Sequence, residues 1–456
     1  MHTSNDENGV THATNGTTSP VDHPSKQISI AIVGGGIVGC VTALGLLKRG
    51  VSVKLYEQAR SLREIGAGLA FTTNAQRCME LTNSDILAAM KAVSTENELA
   101  YYTYKDGYHT LSDDPNDMSE RELFRLHAGK TGFDGCHRAH FLDELVKHIP
   151  EGVVEFQKRL HSYEQGDGDG PITLHFEDGT SATADAVIGC DGIRSRVRQL
   201  LFGRDNPSSH PSFCRKVAFR GLVKMDKAVA ALGPEKAHNQ CMHMGPRAHV
   251  LNFPIAQHTL INVVAFADEA EWPHEKMTAP VSRQEIMEVF KEWNPTVRTI
   301  VSLLEDSTDK WAIFDTYDHP APSFSVGRIC MAGDAAHASS PHHGAGAGFG
   351  VEDALALATV VDEVNATLAD GKVGRNTALE AAFQAYDAAR RQRCQWLVKS
   401  SREVCDVYEW AHPECGSEPE KCLKEIEWRA HKIWYFDIEG MVRDARSAYQ
   451  RFIQGG

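Results

Sequence analysis

The chain has 456 residues and a formal net charge of −14 at pH 7. It is long enough for two or three ordinary domains around a large core, and its acidic balance argues against a nucleic-acid partner and against docking on anionic lipid. No apolar run reaches transmembrane length, no basic-then-apolar leader opens the chain, and eleven cysteines without a C-x-x-C pair read as reduced thiols, so the expectation is a cytoplasmic protein with no membrane span.

Residues 1–26 are rich in Asn, Thr, Ser, Asp, His and Gly and are expected to form a disordered tail. The sequon Asn15-Gly16-Thr17 within it is read as incidental. Residues 28–57, ISIAIVGGGIVGCVTALGLLKRGVSVKLYE, carry the strongest local signal. An apolar strand over 28–33 leads into Gly34, Gly36 and Gly39 in G-x-G-x-x-G spacing, then a helical pattern over 41–48 closed by Gly50, then a strand over 51–56 ending at Glu57. Gly34 suits the tight turn, Gly36 the approach of a pyrophosphate and Gly39 close helix–strand packing. The helix N-terminus offers N–H groups to phosphates. Glu57 can accept from both ribose hydroxyls and would repel a 2′-phosphate, which points to a plain ADP half, as in FAD or NAD. The alternative is a structural βαβ turn with an incidental acid.

The stretch 60–71, RSLREIGAGLAF, has a Gly66-Ala67-Gly68 turn, read as backbone close to a ligand or as a surface turn. A helix is expected over 76–93, an irregular polar segment over 98–127, and a helix over 133–145 with Arg138 near its start. His137, His140 and Asp143 stand three apart, a spacing possible for a metal. No further ligand pattern accompanies them, so they are read as ordinary helix residues and no metal is assigned. Strands are expected over 153–156, 162–163 and 172–176, with a Gly-Asp-Gly-Asp-Gly turn at 166–170, and a buried strand over 186–189 leads into Asp191-Gly192.

Between 217 and 313 the pattern alternates, with strands over 216–222, 241–244, 249–253 and 259–267 and helices over 282–293 and 297–304. This reads as an antiparallel sheet in a second, smaller domain. A buried strand over 328–332 then precedes Gly333-Asp334 and a Gly-rich stretch at 344–348 that includes Ala347 and Gly348. Helices are expected over 351–365, 377–407 and 418–452, the last carrying Trp434, Tyr435 and Phe436 as packing residues.

Three motifs in this order, Gly34–Gly39 with Glu57, Asp191-Gly192 after a strand and Gly333-Asp334 before a Gly-rich helix start, resemble the group A flavoprotein aromatic hydroxylases, such as the p-hydroxybenzoate and salicylate hydroxylases. The resemblance covers roughly 27–400. The stretches EIGAGLAFT, DGIRSRVRQLLFG, AFRGL, MGPRAHVLNFP, WAIFDTYDHPAP and GDAAHASSPHHGAGAG are similar to a fungal subgroup that hydroxylates and dearomatises polyketide phenols in tropolone, sorbicillinoid and azaphilone pathways. The fold implied is α/β: a Rossmann-like FAD-binding domain (27–213, then 320–400), an inserted antiparallel-sheet substrate domain (214–319) and C-terminal helices (401–456).

The resemblance implies bound FAD, transient NADPH or NADH, O2 and a small phenolic substrate. It implies that Arg138 contacts flavin, that Asp191 and Gly192 line the pyrophosphate, that Asp334 accepts from a ribityl hydroxyl, and that the start at 344–348 faces the flavin pyrimidine oxygen. Arg220, in A-F-R-G, would meet the substrate phenolate, which attacks the distal oxygen of a flavin hydroperoxide. Where subgroup members place a tyrosine beside that arginine, this chain has Phe253 and Phe133. Tyr101, Tyr102, Tyr104 and Tyr108 are the other phenolic candidates, and His337 and His343 either touch substrate or flavin or serve structure. Competing readings are a plain salicylate-type hydroxylase, a flavin halogenase, disfavoured by the missing W-x-W-x-I-P signature, and a non-catalytic flavin-fold binding protein.

Overall fold

A computed structural model describes residues 27–455 apart from 63–67, 129–132, 167 and 169. The disordered-tail expectation for 1–26 and the Gly66-Ala67 part of the expected turn lie outside the described residues. A six-stranded sheet runs in the order Ser325–Val326, Ile329–Met331, Ala186–Gly189, Ser29–Val33, Ser52–Glu57, Val154–Phe156, with every pairing parallel except the first. Its central strands are apolar and buried on both faces, which is why they read as continuous hydrophobic runs. The helices Ile37–Leu47 and Gly346–Asp370 pack beside it in one core.

An eight-stranded sheet holds Thr278–Ser282, Ser307–Asp315, Ser212–Lys224, Leu260–Asp268, Ala248–Ile255, Cys241–Gly245, Tyr101–Asp106 and Glu122–His127 in that order. Its two faces follow the period-2 alternation of its strands. Val217, Phe219, Val223, Val250, Ile261 and Val263 turn to a core of their own, with residues of the helices Arg283–Val289 and Pro295–Ser302. The opposite face, with Tyr102, Tyr104, Met242 and Met244, joins the core of the dinucleotide half.

Several expectations need correction. The segment 98–127 is not irregular throughout: Tyr101–Asp106 and Glu122–His127 are strands at the edge of the substrate sheet, where Tyr101–Asp106 pairs in parallel with Cys241–Gly245. The polar composition belongs to the loop between them. The expected helix over 76–93 is two helices, Thr73–Thr82 and Ser84–Val93, because extended Asn83 caps the second by accepting from Asp85 N. The expected helix at 133 begins at Arg138, after the strand Asp134–His137. Ser282 ends a strand and opens Arg283–Val289 with a capping box to Glu285, so that helix is shorter than the reading over 282–293. The C-terminal segment is two helices, Pro419–Trp434 and Ile438–Gly455. Trp434 is buried and Phe436 packs under Arg393, but Tyr435 is 57% exposed and does not pack as expected.

Candidate active site

The first βα turn is shaped by close backbone approach. Gly34 takes a φ of +105° and donates its N–H to Tyr56 O at 2.8 Å. A Cβ on Gly39 would stand 2.0 Å from Gly34 O, so the helix can meet the strand here only through glycine. Gly36 is the N-cap of Ile37–Leu47 and supplies no side-chain cap, which leaves the first-turn N–H groups for an anion. Glu57 Oε2 accepts from Gly35 N and Oε1 from Ala59 N, both at 2.7 Å. A carboxylate has about four lone-pair sites, so capacity for ribose hydroxyls remains.

These groups border a cleft of about 920 Å³. The first motif contributes Gly34, Gly36 and Glu57 to its wall, the second Asp191 and Gly192, the third Asp334 and Ala347, and Arg138 joins them. Three segments far apart in sequence therefore converge on one cleft. Burial lowers the pKa of the Arg138 guanidinium, while Asp334 opposes that shift. The donor set fits FAD: helix N–H groups and Arg138 for the charged and polar middle, Glu57 and Asp334 for hydroxyls, and the uncapped start of Gly346–Asp370 for an electron-rich ring oxygen.

Other residues chosen from the sequence stand elsewhere. Asp191 reaches the cleft wall, but its carboxylate caps the next helix, accepting from Ser195 Oγ at 2.5 Å, Arg196 N at 2.6 Å and Val197 N at 3.0 Å. Gly333 N donates to Asp353 Oδ2 at 2.9 Å, and Gly348 faces Ala75 rather than the cleft. Gly68 makes its close approach to the substrate sheet, donating to Asn262 Oδ1 at 3.0 Å.

Arg220 lies in Ser212–Lys224, opposite Val264, and the register continues through Leu251, Met242 and Tyr104. The adjacent row holds Leu222, Asn262 and Phe253. These residues share the face turned to the dinucleotide half. The Arg220 Nε is buried without a hydrogen-bond partner among the described residues, and the guanidinium lies 5.8 Å from the Trp311 ring centroid. Burial and the like charge of Arg138 bring its pKa down to about 10. Phe133 and Phe253 meet edge to face at 5.6 Å, and Tyr102 meets Phe133 at 5.3 Å and Trp434 at 5.9 Å. Of the four candidate tyrosines, Tyr101 meets His127 edge to face and lies under Arg125, Tyr104 stacks with Phe124, and Tyr108 meets Trp293 edge to face. Tyr102 alone of the four has a buried hydroxyl with no partner among the described residues.

The histidines sort by partner. His337 Nε2 lies 2.6 Å from Asp353 Oδ2, and His343 Nε2 lies 2.9 Å from Ser400 Oγ. Both side chains are held by protein groups. The rings of His137 and His140 stack at 4.1 Å. The groups that do converge as metal-type ligands, such as buried His249, His342 and Cys405, include neither. Sequence reading also missed the buried network in which Arg390 pairs with Asp353 and Glu352, and Arg393 with Glu352. The available signal was Glu352-Asp353 within the apolar first half of the helix Gly346–Asp370.

A model of the FAD-binding-domain family matches residues 27–401, and the chain belongs to that family. It is 51% identical over 437 residues to the FAD-dependent monooxygenase pigN of Monascus ruber, covering 95% of this chain and 99% of that protein. It is 47% identical over 445 residues to salicylate hydroxylase asL1 of Sarocladium schorii, covering 94% and 92%. A solved salicylate hydroxylase substrate complex superposes with a TM-score of 0.78 at 29% identity, over 92% of this chain and 98% of that one. The protein is an FAD-dependent monooxygenase of the salicylate hydroxylase type, with NAD(P)H as its transient reductant. No described helix is long and apolar enough to cross a membrane.

Proposed function

We propose that this monooxygenase hydroxylates a phenol of polyketide origin at a substituted ring carbon and so dearomatises it, holding the substrate as a phenolate against Arg220. The observation that carries this reading is Arg220 itself: its Nε is buried without a partner among the described residues, on the sheet face turned to the dinucleotide half, which two strands further on carries Phe253 against Phe133. A cation a few Å from a phenol lowers its pKa by about 1–3 units. The ring is then electron-rich where oxygen is to be transferred. Phe133 and Phe253 pack against the ring without competing for its oxygen. The apolar wall excludes water and strengthens the ion pair. Bound FAD, once reduced, supplies O2 activation and electrophilic oxygen transfer.

The test is NADPH oxidation by the flavin-loaded enzyme with and without an ortho-acyl resorcinol. A product with one added oxygen and a tetrahedral, hydroxyl-bearing ring carbon is expected. A product that stays aromatic would overturn dearomatisation. Carbon dioxide release from salicylate with catechol as product would favour the plain salicylate-type reading, which the name of the Sarocladium schorii relative supports.

A further inference from the structure

Asn262 is one strand away from Arg220, on the same sheet face: Arg220 pairs with Val264, and Asn262 pairs with Leu222. Residues in this diagonal relation lie within reach of a shared small ligand. Asn262 is 1% exposed. Its Oδ1 accepts from Gly68 N at 3.0 Å, and that bond assigns the amide orientation, with Nδ2 turned away from Gly68. A Cβ on Gly68 would stand 2.7 Å from Asn262 Cγ, so the glycine gives the amide its place. Nδ2 is buried and has no partner among the described residues. Buried amide donors are nearly always paired, and an orphan is costly unless a ligand or water completes it.

Two orphan donors therefore sit on neighbouring strands: the Arg220 Nε–H and the Asn262 Nδ2–H. Neither nitrogen can accept. We infer that Asn262 is a second substrate-contacting residue, whose Nδ2 donates to an oxygen on the ring position next to the phenolate, as in the carbonyl of an ortho-acyl group or a carboxylate. This rests on the reading of Arg220 as the phenolate partner. Asn262 then selects between phenols, while Arg220 selects for phenols as such.

The experiment compares two phenols that differ only in having an ortho-acyl or an ortho-alkyl group. Binding to the flavin-loaded enzyme is read from the perturbed flavin spectrum, and KM from NADPH oxidation. The wild-type enzyme is expected to bind the acyl phenol at least about tenfold tighter, as one buried hydrogen bond provides. Asn262→Ala is expected to remove that preference, with affinity for the alkyl phenol changed less than about twofold. Flavin content and thermal midpoint monitor folding. Equal losses for both phenols would show that Asn262 only supports Gly68 and would overturn the inference. So would a wild-type enzyme that does not distinguish the two, a measurement that needs no variant. Arg220→Ala is the separate arm: it is expected to weaken both phenols alike. If it changes neither, the phenolate reading fails, whatever Asn262 does. A wild-type enzyme that binds neither phenol overturns both.

Discussion

At the scale of single residues, the substrate side depends on one buried cation, Arg220, whose Nε has no partner among the described residues. The Arg220 guanidinium is brought down to about 10 by burial and by Arg138, yet it remains cationic at neutral pH. An anion bound beside it would relieve both effects, as the proposed phenolate does. Arg220→Ala is expected to keep FAD but raise the apparent pKa of bound phenol by about 1–3 units, so the phenolate absorption band should move to higher pH and kcat/KM at neutral pH should fall. A titration of the enzyme–phenol complex checks this. Asp334 tests the other half of the site. Its carboxylate lines the cleft near Arg138, and Asp334→Ala is expected to be purified with much less FAD. A variant that stays fully yellow would remove Asp334 from the flavin contacts.

At the scale of elements, two local devices hold large pieces in register. The first βα turn tolerates no Cβ at position 39, where Gly34 O would be 2.0 Å away. Gly39→Ala is expected to lose FAD binding and to unfold at a lower temperature, because strand and helix must separate. The second device is Glu120, which ties the loop between Tyr101–Asp106 and Glu122–His127 to the substrate sheet. It meets His243 Nδ1 at 2.7 Å and Lys236 Nζ at 2.9 Å and is 1% exposed at its side chain. Burial alone would raise its pKa, but His243 and Lys236 bring it down to about 2. The folded value is below the unfolded one of about 4.3. The stabilisation, on the order of 3 kcal/mol, is therefore present above about pH 4.5 and is lost as pH falls towards 2. Urea unfolding at a series of pH values checks the sign: Glu120→Gln should be less stable than wild type at pH 7, with the gap closing in acid. The strands on either side of this loop were misread as irregular because Tyr101–Asp106 finds its parallel neighbour more than a hundred residues later, which no local periodicity reports.

At the scale of the whole molecule, the helix Gly346–Asp370 is joined to the long helix Arg375–Tyr408 by a buried ionic network. Arg390 bridges Asp353 at 2.8 Å and Glu352 at 2.6 Å, and Arg393 reaches Glu352 at 2.8 Å. Asn74 Nδ2 also donates to Glu352 and Gly333 N to Asp353, and His337 Nε2 lies against the same Asp353 oxygen. Burial alone would raise the Asp353 carboxyl, yet His337 and Arg390 hold it far below the usual carboxylate range. Removing one cation leaves buried charge uncompensated. Arg390→Met is expected to cost about 3–5 kcal/mol, with a clear fall in thermal midpoint. Because the same Asp353 fixes Gly333 beside Asp334, part of the FAD affinity should be lost with it.

The nucleotide half was legible because its signals are local: a glycine spacing, an acid at the end of the second strand, and short apolar strands that end in Asp191-Gly192 and Gly333-Asp334. Each of these follows from backbone sterics over a few residues, so the chain itself determined the fold class and the three cleft motifs, while Arg220 as the candidate cation was implied by the family resemblance. The surroundings of the aromatic pair were decided by the tertiary structure. Asn262 pairs with Phe253 across two strands, while Tyr102, from the strand beside the sheet edge, and Trp434, from a C-terminal helix, reach Phe133 and Tyr102 respectively only through sheet register and helix docking. Likewise Asp191 lines the cleft, but only the tertiary structure shows its carboxylate also capping the helix that follows, and only there does Gly348 pack on Ala75. A side chain's donors are spent on whichever partner is nearest in space, and distance in space between strands is set by pairing, which the order of residues along one strand does not contain.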